Sequence, residues 1–499
     1  MTDTQHRLSK SRFLAGLQCH RQLHWRVHDP RAAELQPSAS LQAVFDIGKR
    51  VGHRARQEFP GAVLIQLDRR RIAEAIAATK QALERGAEAI LEASFREDDI
   101  FVAVDALTKE GGSYVLTEVK ANTRLKPQHI PDAAIQAHVV ERAGLSVARV
   151  EVMHLSSAHR HPNDGPLFVR DDITDAVAEL RPSIPAEIDA QLKMLRGPLP
   201  DVEPGDHCLS PYACPFLDRC HVPRPEHAIE DLNGVRQDQV DALRNAGADT
   251  IDQIPSDFPL KPLHARHRTA VRTNEMVVEP GLRAALARFA FPIAMLDFET
   301  VSPALPVWDG CGPYGQVPVQ FSVHTLHEHG EVTHRAYLAE AGTDPRPSVA
   351  AALPDALRTA ATILAWNASF EKRCLQALAE ASPEHAPALG EARDKVEDLL
   401  PVVRNHLYHP ALRGSFSIKN VAAALLPDLG YDDLDVTDGQ IASSELERLL
   451  CRPEELSAQE RERLRRQLEA YCERDTEVMV GVFRVLVDAS VQTESARVD

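Results

Sequence analysis

The sequence predicts an α/β protein made of two α/β parts joined by a small helical module. Three observations carry this. Helical and strand periods alternate through roughly the first 160 residues. A Pro-rich stretch, RGPLPDVEPGDHCLSPYACPFLDRCHVPRP, then interrupts them and cannot be a long helix. A second α/β pattern opens at FPIAMLDFET. At roughly 100–200 residues per domain, 499 residues suit two to four domains. The boundaries fall at 1–228, 229–285 and 286–499.

Taken in order, residues 71–93, RIAEAIAATKQALERGAEAILEA, carry apolar positions at helical spacing. FVAVDALTKE and SYVLTEVKA read as two strands, with Gly111-Gly112 as the hairpin turn. A helix is expected over 132–143, a strand over 148–157 and helix over 169–193. In 229–256 two brief helical segments flank Gly234, with a turn at Gly247, in the manner of a helix–hairpin–helix unit. KPLHARHRTAVR (261–272) reads as a basic linker.

Apolar residues at 44% and charged residues at 26% are ordinary for a globular protein and exclude collagen-like, low-complexity and fully disordered chains. No run of about 18 uncharged apolar residues offers a membrane span. The opening MTDTQHRLSKSRF lacks the charged-then-apolar pattern of a secretory signal, so a cytoplasmic location is expected. The net charge of −17 opposes a polyanionic partner overall. Its distribution does not: residues 1–150 hold 22 Lys+Arg against 18 Asp+Glu, whereas 251–499 hold 25 against 37. Arg69-Arg70-Arg71 and the 261–272 segment are the basic runs that could meet phosphate.

Asp105 falls on one predicted strand. Glu118 and Lys120 fall on the next, two residues apart and so on one face. Two carboxylates with a nearby ammonium suit metal-assisted phosphodiester hydrolysis, the acids holding Mg²⁺ and the ammonium orienting water or offsetting charge on the phosphate. VAVDALTKEGGSYVLTEVK resembles the PD-(D/E)XK nuclease signature in its RecB-like form. The resemblance implies a restriction-endonuclease-like fold, a His metal ligand on an upstream helix, met by His53 in GKRVGHRAR, and a Gln on the helix after the second strand, met by Gln136 in DAAIQAHVV. Glu92 is a weaker candidate beside them.

Cys208, Cys214 and Cys220 are separated by two intervals of five residues in a loop with Pro211 and Pro215, while Cys19 lies far upstream. Spacing alone leaves structural Zn²⁺ open, with His207 or His221 as further ligands. RecB-like nucleases of the iron–sulfur type have one Cys before the nuclease core and three after it. The resemblance therefore implies a [4Fe–4S] cluster on Cys19, Cys208, Cys214 and Cys220.

Asp297 and Glu299 in AMLDFET again share a strand face. A strand ending in D-x-E resembles the first motif of the DEDD exonucleases, in their tyrosine form, which implies an RNase H-like fold. ILAWNASFEKRCL resembles the second motif, through Asn367 and Phe370 on the substrate and Glu371 where the family has Asp; Asp398 is the fallback acid. YCERD supplies Tyr471 and Asp475 at i and i+4, one helix face. The resemblance implies that Asp297, Glu299, Glu371 and Asp475 hold two Mg²⁺ or Mn²⁺ ions about 4 Å apart, with Tyr471 positioning the attacking water.

The chain as a whole resembles an uncharacterised bacterial family in which a RecB-like iron–sulfur nuclease domain precedes a DEDD-type domain. The expectation is a metal-dependent DNA nuclease, exonucleolytic in action. An RNA exonuclease and a non-catalytic nucleic-acid-binding adaptor with a structural metal site are the alternatives. Gln320 and His324 share a strand face and could approach substrate or pack in the core. Cys374, Cys451 and Cys472 read as packing thiols.

Overall fold

The computed structural model describes residues 8–66, 71–220 and 223–498, with side chains to 492. Arg69, Arg70 and His221 lie outside the described residues. The chain is a mixed α/β protein that divides into two compact units. One is Met1–Pro223 with Pro303–Gly315; the other is Arg224–Ser302 with Gln316–Asp499. Residues 229–285, expected as a separate module, thus cluster within the second unit, and a short segment after the D-x-E strand returns to the first.

In the first unit the order is β1 (Leu8–Ser9), α1 (Lys10–Gln18), α2 (His20–His28), α3 (Ala39–Ala55), β2 (Val63–Leu64), α4 (Ile72–Glu84), β3 (Ala89–Glu97), β4 (Ile100–Glu110), β5 (Ser113–Lys120), α5 (His129–Arg142), β6 (Val147–Leu155), β7 (Phe168–Asp172), α6 (Thr174–Leu180), α7 (Ile184–Leu195) and α8 (Leu217–Cys220). The sheet runs β2-β3-β4-β5-β6-β7, with β1 paired to β4. β3, β4 and β5 are antiparallel neighbours, and β6 lies parallel to β5 after the α5 crossover. The hairpin between β4 and β5 turns at Gly111, at φ +61°, as expected. The core is apolar residues from β3 to β6 under α5, whose Ala133, Ala134, Ile135, Ala137, Val139 and Val140 are all buried.

Two expectations fail here. The helix over 71–93 ends at Glu84, because Gly86 (φ +74°) closes it with a left-handed residue; the apolar run after it is β3. The helix over 169–193 is a strand and two helices, β7, α6 and α7.

The second unit contains α9 (Gln237–Asn245), α10 (Pro262–Thr273), β8 (Val277–Val278), α11 (Leu282–Leu286), β9 (Ile293–Val301), β10 (Val317–Leu326), β11 (Val332–Leu338), α12 (Pro345–Leu357), β12 (Thr362–Ala365), α13 (Ser369–Ala381), α14 (Ala386–Lys395), β13 (Val396–Asp398), α15 (Leu400–His406), β14 (Leu407–Tyr408), α16 (Ile418–Leu425), α17 (Gly439–Cys451) and α18 (Ala458–Val498). Its main sheet has the order β11-β10-β9-β12-β13. β10 is antiparallel to both neighbours, and β12 and β13 run parallel to β9. β10 is buried along its whole length, as a strand covered on both faces must be. The last long helix, α18, packs on β9 and β10.

The 261–272 segment is not a linker but α10. Its Arg266 is buried and bonds Glu279 and the Arg404 carbonyl; Arg272 is spent on the carbonyls of Asp252 and Ile254. These cations hold the fold, which removes most of the reason to assign them to phosphate.

Candidate functional sites

In the first unit, β4 presents Asp105 and β5 presents Glu118 and Lys120. Val119 N–H donates to Asp105 Oδ2 at 2.7 Å, tying the two strands together at the site. Glu118 is buried and fully engaged. Lys120 Nζ donates to its Oε1 at 2.7 Å, Lys10 Nζ to the same oxygen at 2.9 Å, and Gln136 Nε2 to Oε2 at 2.7 Å. Asp132 completes the group, bonded to Lys120 and 3.2 Å from Lys10. Burial favours the protonated form of Glu118, but the charges of Lys10 and Lys120 outweigh it and hold the carboxyl well below its usual range. Asp105 goes the other way. Burial and the Glu118 charge raise it to about 7, against the opposing pull of Lys10.

A cavity of about 660 Å³ opens beside this cluster, lined among others by His53, Arg56, Glu92, Asp105 and Lys120. His53, on α3, is exposed in its wall. Glu92 stands in the left-handed region at φ +58°, uncommon for a residue with a side chain, and its carboxylate accepts from Arg56 at 2.8 Å. The structure therefore places Asp105, Lys120 and His53 on one cavity, with Glu118 and Gln136 bonded behind them. Lys10 and Asp132 were missed. Asp132 lies four residues before Gln136, on the same helix face, a signal that was available. Lys10 lies 108 residues from Glu118 and gave none.

The cysteine loop folds against the start of α2. Gln18 Nε2 donates to the carbonyls of His207 (2.7 Å) and Tyr212 (2.6 Å). Trp25 packs on Phe216 with ring centroids 5.3 Å apart, and the Arg219 guanidinium lies over both rings. Burial raises the Cys214 and Cys220 thiols, and the charges of Cys19 and Cys208 raise each further. Cys214 and Cys220 thus each lie within electrostatic reach of Cys19 and Cys208.

In the second unit, β9 carries Asp297 and Glu299, and α18 brings Asp475 to them. One oxygen from each lies within 4.8 Å of the others. Burial raises all three carboxyls. Repulsion from Asp475, Glu299 and Glu371 adds to it for Asp297, and repulsion from Asp475 adds to it for Glu299. Glu299 reaches about 8; Asp475, relieved by the Tyr431 hydrogen bond and Lys419, stays near 6. Glu371, in the first turn of α13, is buried. Its Oε2 has no hydrogen-bond partner among the described residues, and burial with Asp398 raises it to about 8. It stands outside the three-oxygen group yet acts on Asp297. Asp398 is spent on the N–H groups of Asn367 (3.2 Å) and Leu400 (3.0 Å), so it is a turn-forming acid. Asn367 is exposed at φ +69°, and Phe370 packs partly against the core.

Tyr471 is buried, 6.2 Å between ring centroids from Tyr431, and Lys419 Nζ stands 5.3 Å from its ring. Tyr431 donates to Asp475 Oδ1. Neither Tyr431 nor Lys419 was expected from the sequence, since both fall in the segment between the second and third motifs. Cys472 is more than packing, because its thiol points at Asp297 Oδ2, 3.6 Å away. Gln320 is structural: its Nε2 donates to the Leu468 carbonyl at 3.0 Å.

The chemistry of this donor set fits divalent cations. Several buried or partly buried acids raise one another, Glu371 offers an oxygen without a partner among the described residues, and the cations that act on the group are Lys419, on Glu299 and Asp475, and Arg373, on Glu371. A family model described as a domain of unknown function (DUF2779) matches residues 294–417, which include Asp297, Glu299 and Glu371 but not Tyr471 or Asp475. No curated protein matches the chain. No helix among the described residues is long and apolar enough to cross a membrane.

Proposed function

We propose that this chain is a metal-dependent nuclease acting on DNA, with exonucleolytic hydrolysis at the second unit and a second candidate site at the first. The observation that carries the reading is the meeting of Asp297, Glu299 and Asp475 within 4.8 Å, from a strand and a distant helix. The sheet order supports an RNase H-like reading, with an antiparallel β9-β10-β11 meander extended by parallel β12 and β13. The α4-β3-β4-β5-α5-β6 order, with β6 parallel to β5, supports a PD-(D/E)XK reading of the first unit.

In the second unit Asp297, Glu299, Asp475 and, from the side, Glu371 would hold Mg²⁺ or Mn²⁺. Such ions supply activation of water and neutralisation of charge on the scissile phosphate. Tyr431 orients Asp475 through its hydrogen bond. The Tyr471 hydroxyl is kept protonated by burial and the neighbouring acids, so it serves as a donor that positions water. In the first unit Asp105 and His53 line the cavity and would hold the ion, Glu118 joining them only by exchanging its bonds to Lys10, Lys120 or Gln136 for the metal, and Lys120 supplies positive charge beside the cavity.

For the cysteines, Cys19, Cys208, Cys214 and Cys220 supply the four thiolates that a [4Fe–4S] cluster takes, with tetrahedral Zn²⁺ as the alternative.

The test is cleavage of labelled single- and double-stranded DNA and RNA with Mg²⁺ or Mn²⁺ by the full chain, compared with Lys120→Ala and Asp297→Ala. Loss of DNA cleavage in either variant supports the reading, and a selective loss names the active unit. Cleavage unchanged in both overturns both site assignments. Cleavage of RNA alone replaces the substrate.

A further inference from the structure

A second cluster of metal-ligating side chains lies on the same helix as Asp475 but on another of its faces. His324 on β10 and His334 on β11 are direct cross-strand partners, and their rings stack at 4.3 Å. Glu473 of α18 reaches over them. One donor atom from each of the three lies within 4.8 Å of the others.

The hydrogen bonds around the cluster fix where the protons are. Thr476 Oγ1 lies 3.0 Å from the Glu473 carbonyl, 2.7 Å from Ser322 Oγ and 2.7 Å from His324 Nδ1; Ser322 Oγ lies 3.0 Å from His334 Nε2. A carbonyl only accepts, so the single Thr476 hydroxyl proton goes to Glu473. The Ser322 proton must then go to Thr476. His334 Nε2–H must donate to Ser322, and His324 Nδ1–H to Thr476. This is the one assignment that satisfies all four contacts. With both rings neutral it leaves His324 Nε2 and His334 Nδ1 with bare lone pairs. His334 Nδ1 faces Glu473 Oε1 at 3.4 Å, a contact that calls for positive charge, supplied either by a second proton on His334 or by a cation shared between the two.

We propose that His324, His334 and Glu473 form a binding site for a first-row divalent cation, Zn²⁺ foremost. Two imidazoles and one carboxylate are the ligand set that a borderline ion takes, and each imidazole gives its other N–H to a hydroxyl that fixes its orientation. Glu473 is half exposed and His334 about a quarter exposed, so a further coordination position opens to solvent. The ion would clamp the edge strand β11 to α18, the helix that carries Tyr471 and Asp475. The proposal does not depend on the nuclease reading.

Co²⁺ is the probe, added to metal-depleted full-length protein with excess Mg²⁺ present to hold the acidic site. Wild type should take one equivalent whose visible spectrum lacks thiolate charge transfer, and Cys214→Ala should keep it. His334→Ala should lose it, and Glu473→Gln should weaken it at least about tenfold. Glu473→Gln lies on the surface and keeps the fold, so it decides the matter should His334→Ala not fold. The proposal is overturned if wild type takes no such equivalent, or if Glu473→Gln binds Co²⁺ as wild type does.

Discussion

Lys10 Nζ donates to Glu118 Oε1 at 2.9 Å, from the first residue of α1 to a strand 108 residues later. The same oxygen accepts from Lys120, so one buried carboxylate answers to two ammonium groups. Half of the cationic partnership of the first site therefore comes from a residue that no motif contains. The two lysines keep Glu118 ionised in a place where burial alone would protonate it.

Replacing Lys10 with Met removes one of these charges and leaves Asp132 and Glu118 facing each other with only Lys120 between them. Cleavage by the first site, measured in an Asp297→Ala background, should fall roughly 10- to 100-fold, as expected for a residue that orients a ligand. The melting temperature should fall as well, because a buried carboxylate loses a charged hydrogen bond worth about 1.5–3 kcal/mol. A rate equal to that of the Asp297→Ala parent would show that Lys10 serves folding alone.

Tyr431 stands in the same relation to the second site. Its hydroxyl donates to Asp475, and its ring lies beside Tyr471 and Lys419. Tyr431→Phe keeps the ring and removes only the proton that orients the carboxylate. In a Lys120→Ala background, cleavage at saturating Mg²⁺ should drop about tenfold or more, with little change in circular dichroism. Unchanged kinetics would remove Tyr431 from the site.

What the sequence made legible follows from range. Glu118 and Lys120 share a strand, Asp297 and Glu299 share another, and Tyr471 and Asp475 share a helix face. Local periodicity alone places each pair correctly. The meeting of Asp475 with Asp297 was inferred from motif order, and the structure brings them together. Lys10, Tyr431 and Lys419 were invisible because they reach the acids from separate elements, with no fixed spacing to mark them. The basic 261–272 segment misled for a related reason. Charge density reads as free surface until the carbonyls and acids that consume it are seen, as Arg266 and Arg272 show. The helix expected over 71–93 ran on because apolar spacing continues past Gly86 into β3, whereas the left-handed glycine ends it.

The cysteine loop makes a prediction of its own. Cys19 starts α2, and Cys208, Cys214 and Cys220 close on it through the Gln18 and Trp25 contacts. Cys214→Ala should therefore lower thermal stability more than it lowers cleavage by the second unit. Protein purified without oxygen should contain iron and sulfide and show the broad visible absorption of a cluster, lost on chelation together with part of the melting temperature. Stoichiometric zinc without iron would replace the cluster, and normal melting of a metal-free Cys214→Ala protein would refute a structural role for either.

The acids of the second unit should make metal loading and stability depend on pH in opposite senses. Glu299 is raised to about 8 and Asp475 to about 6, each from an ordinary value near 4. The metal-free folded state therefore binds more protons than the unfolded chain between those limits. Its stability at this site is fully present below about pH 4 and is lost as pH rises through 6 and then 8. A divalent ion must displace those protons, so its apparent affinity should climb over the same interval and level off above about pH 8. Melting curves without metal should fall in temperature from pH 5 to pH 8, and saturating Mn²⁺ should remove or reverse that fall. Asp297→Asn, which takes one charge out of the cluster, should flatten the metal-free profile and abolish the Mn²⁺ effect. A metal-free protein whose melting rises steadily to pH 8, or a Mn²⁺ response that survives Asp297→Asn, would mean that the three acids do not form the cation site.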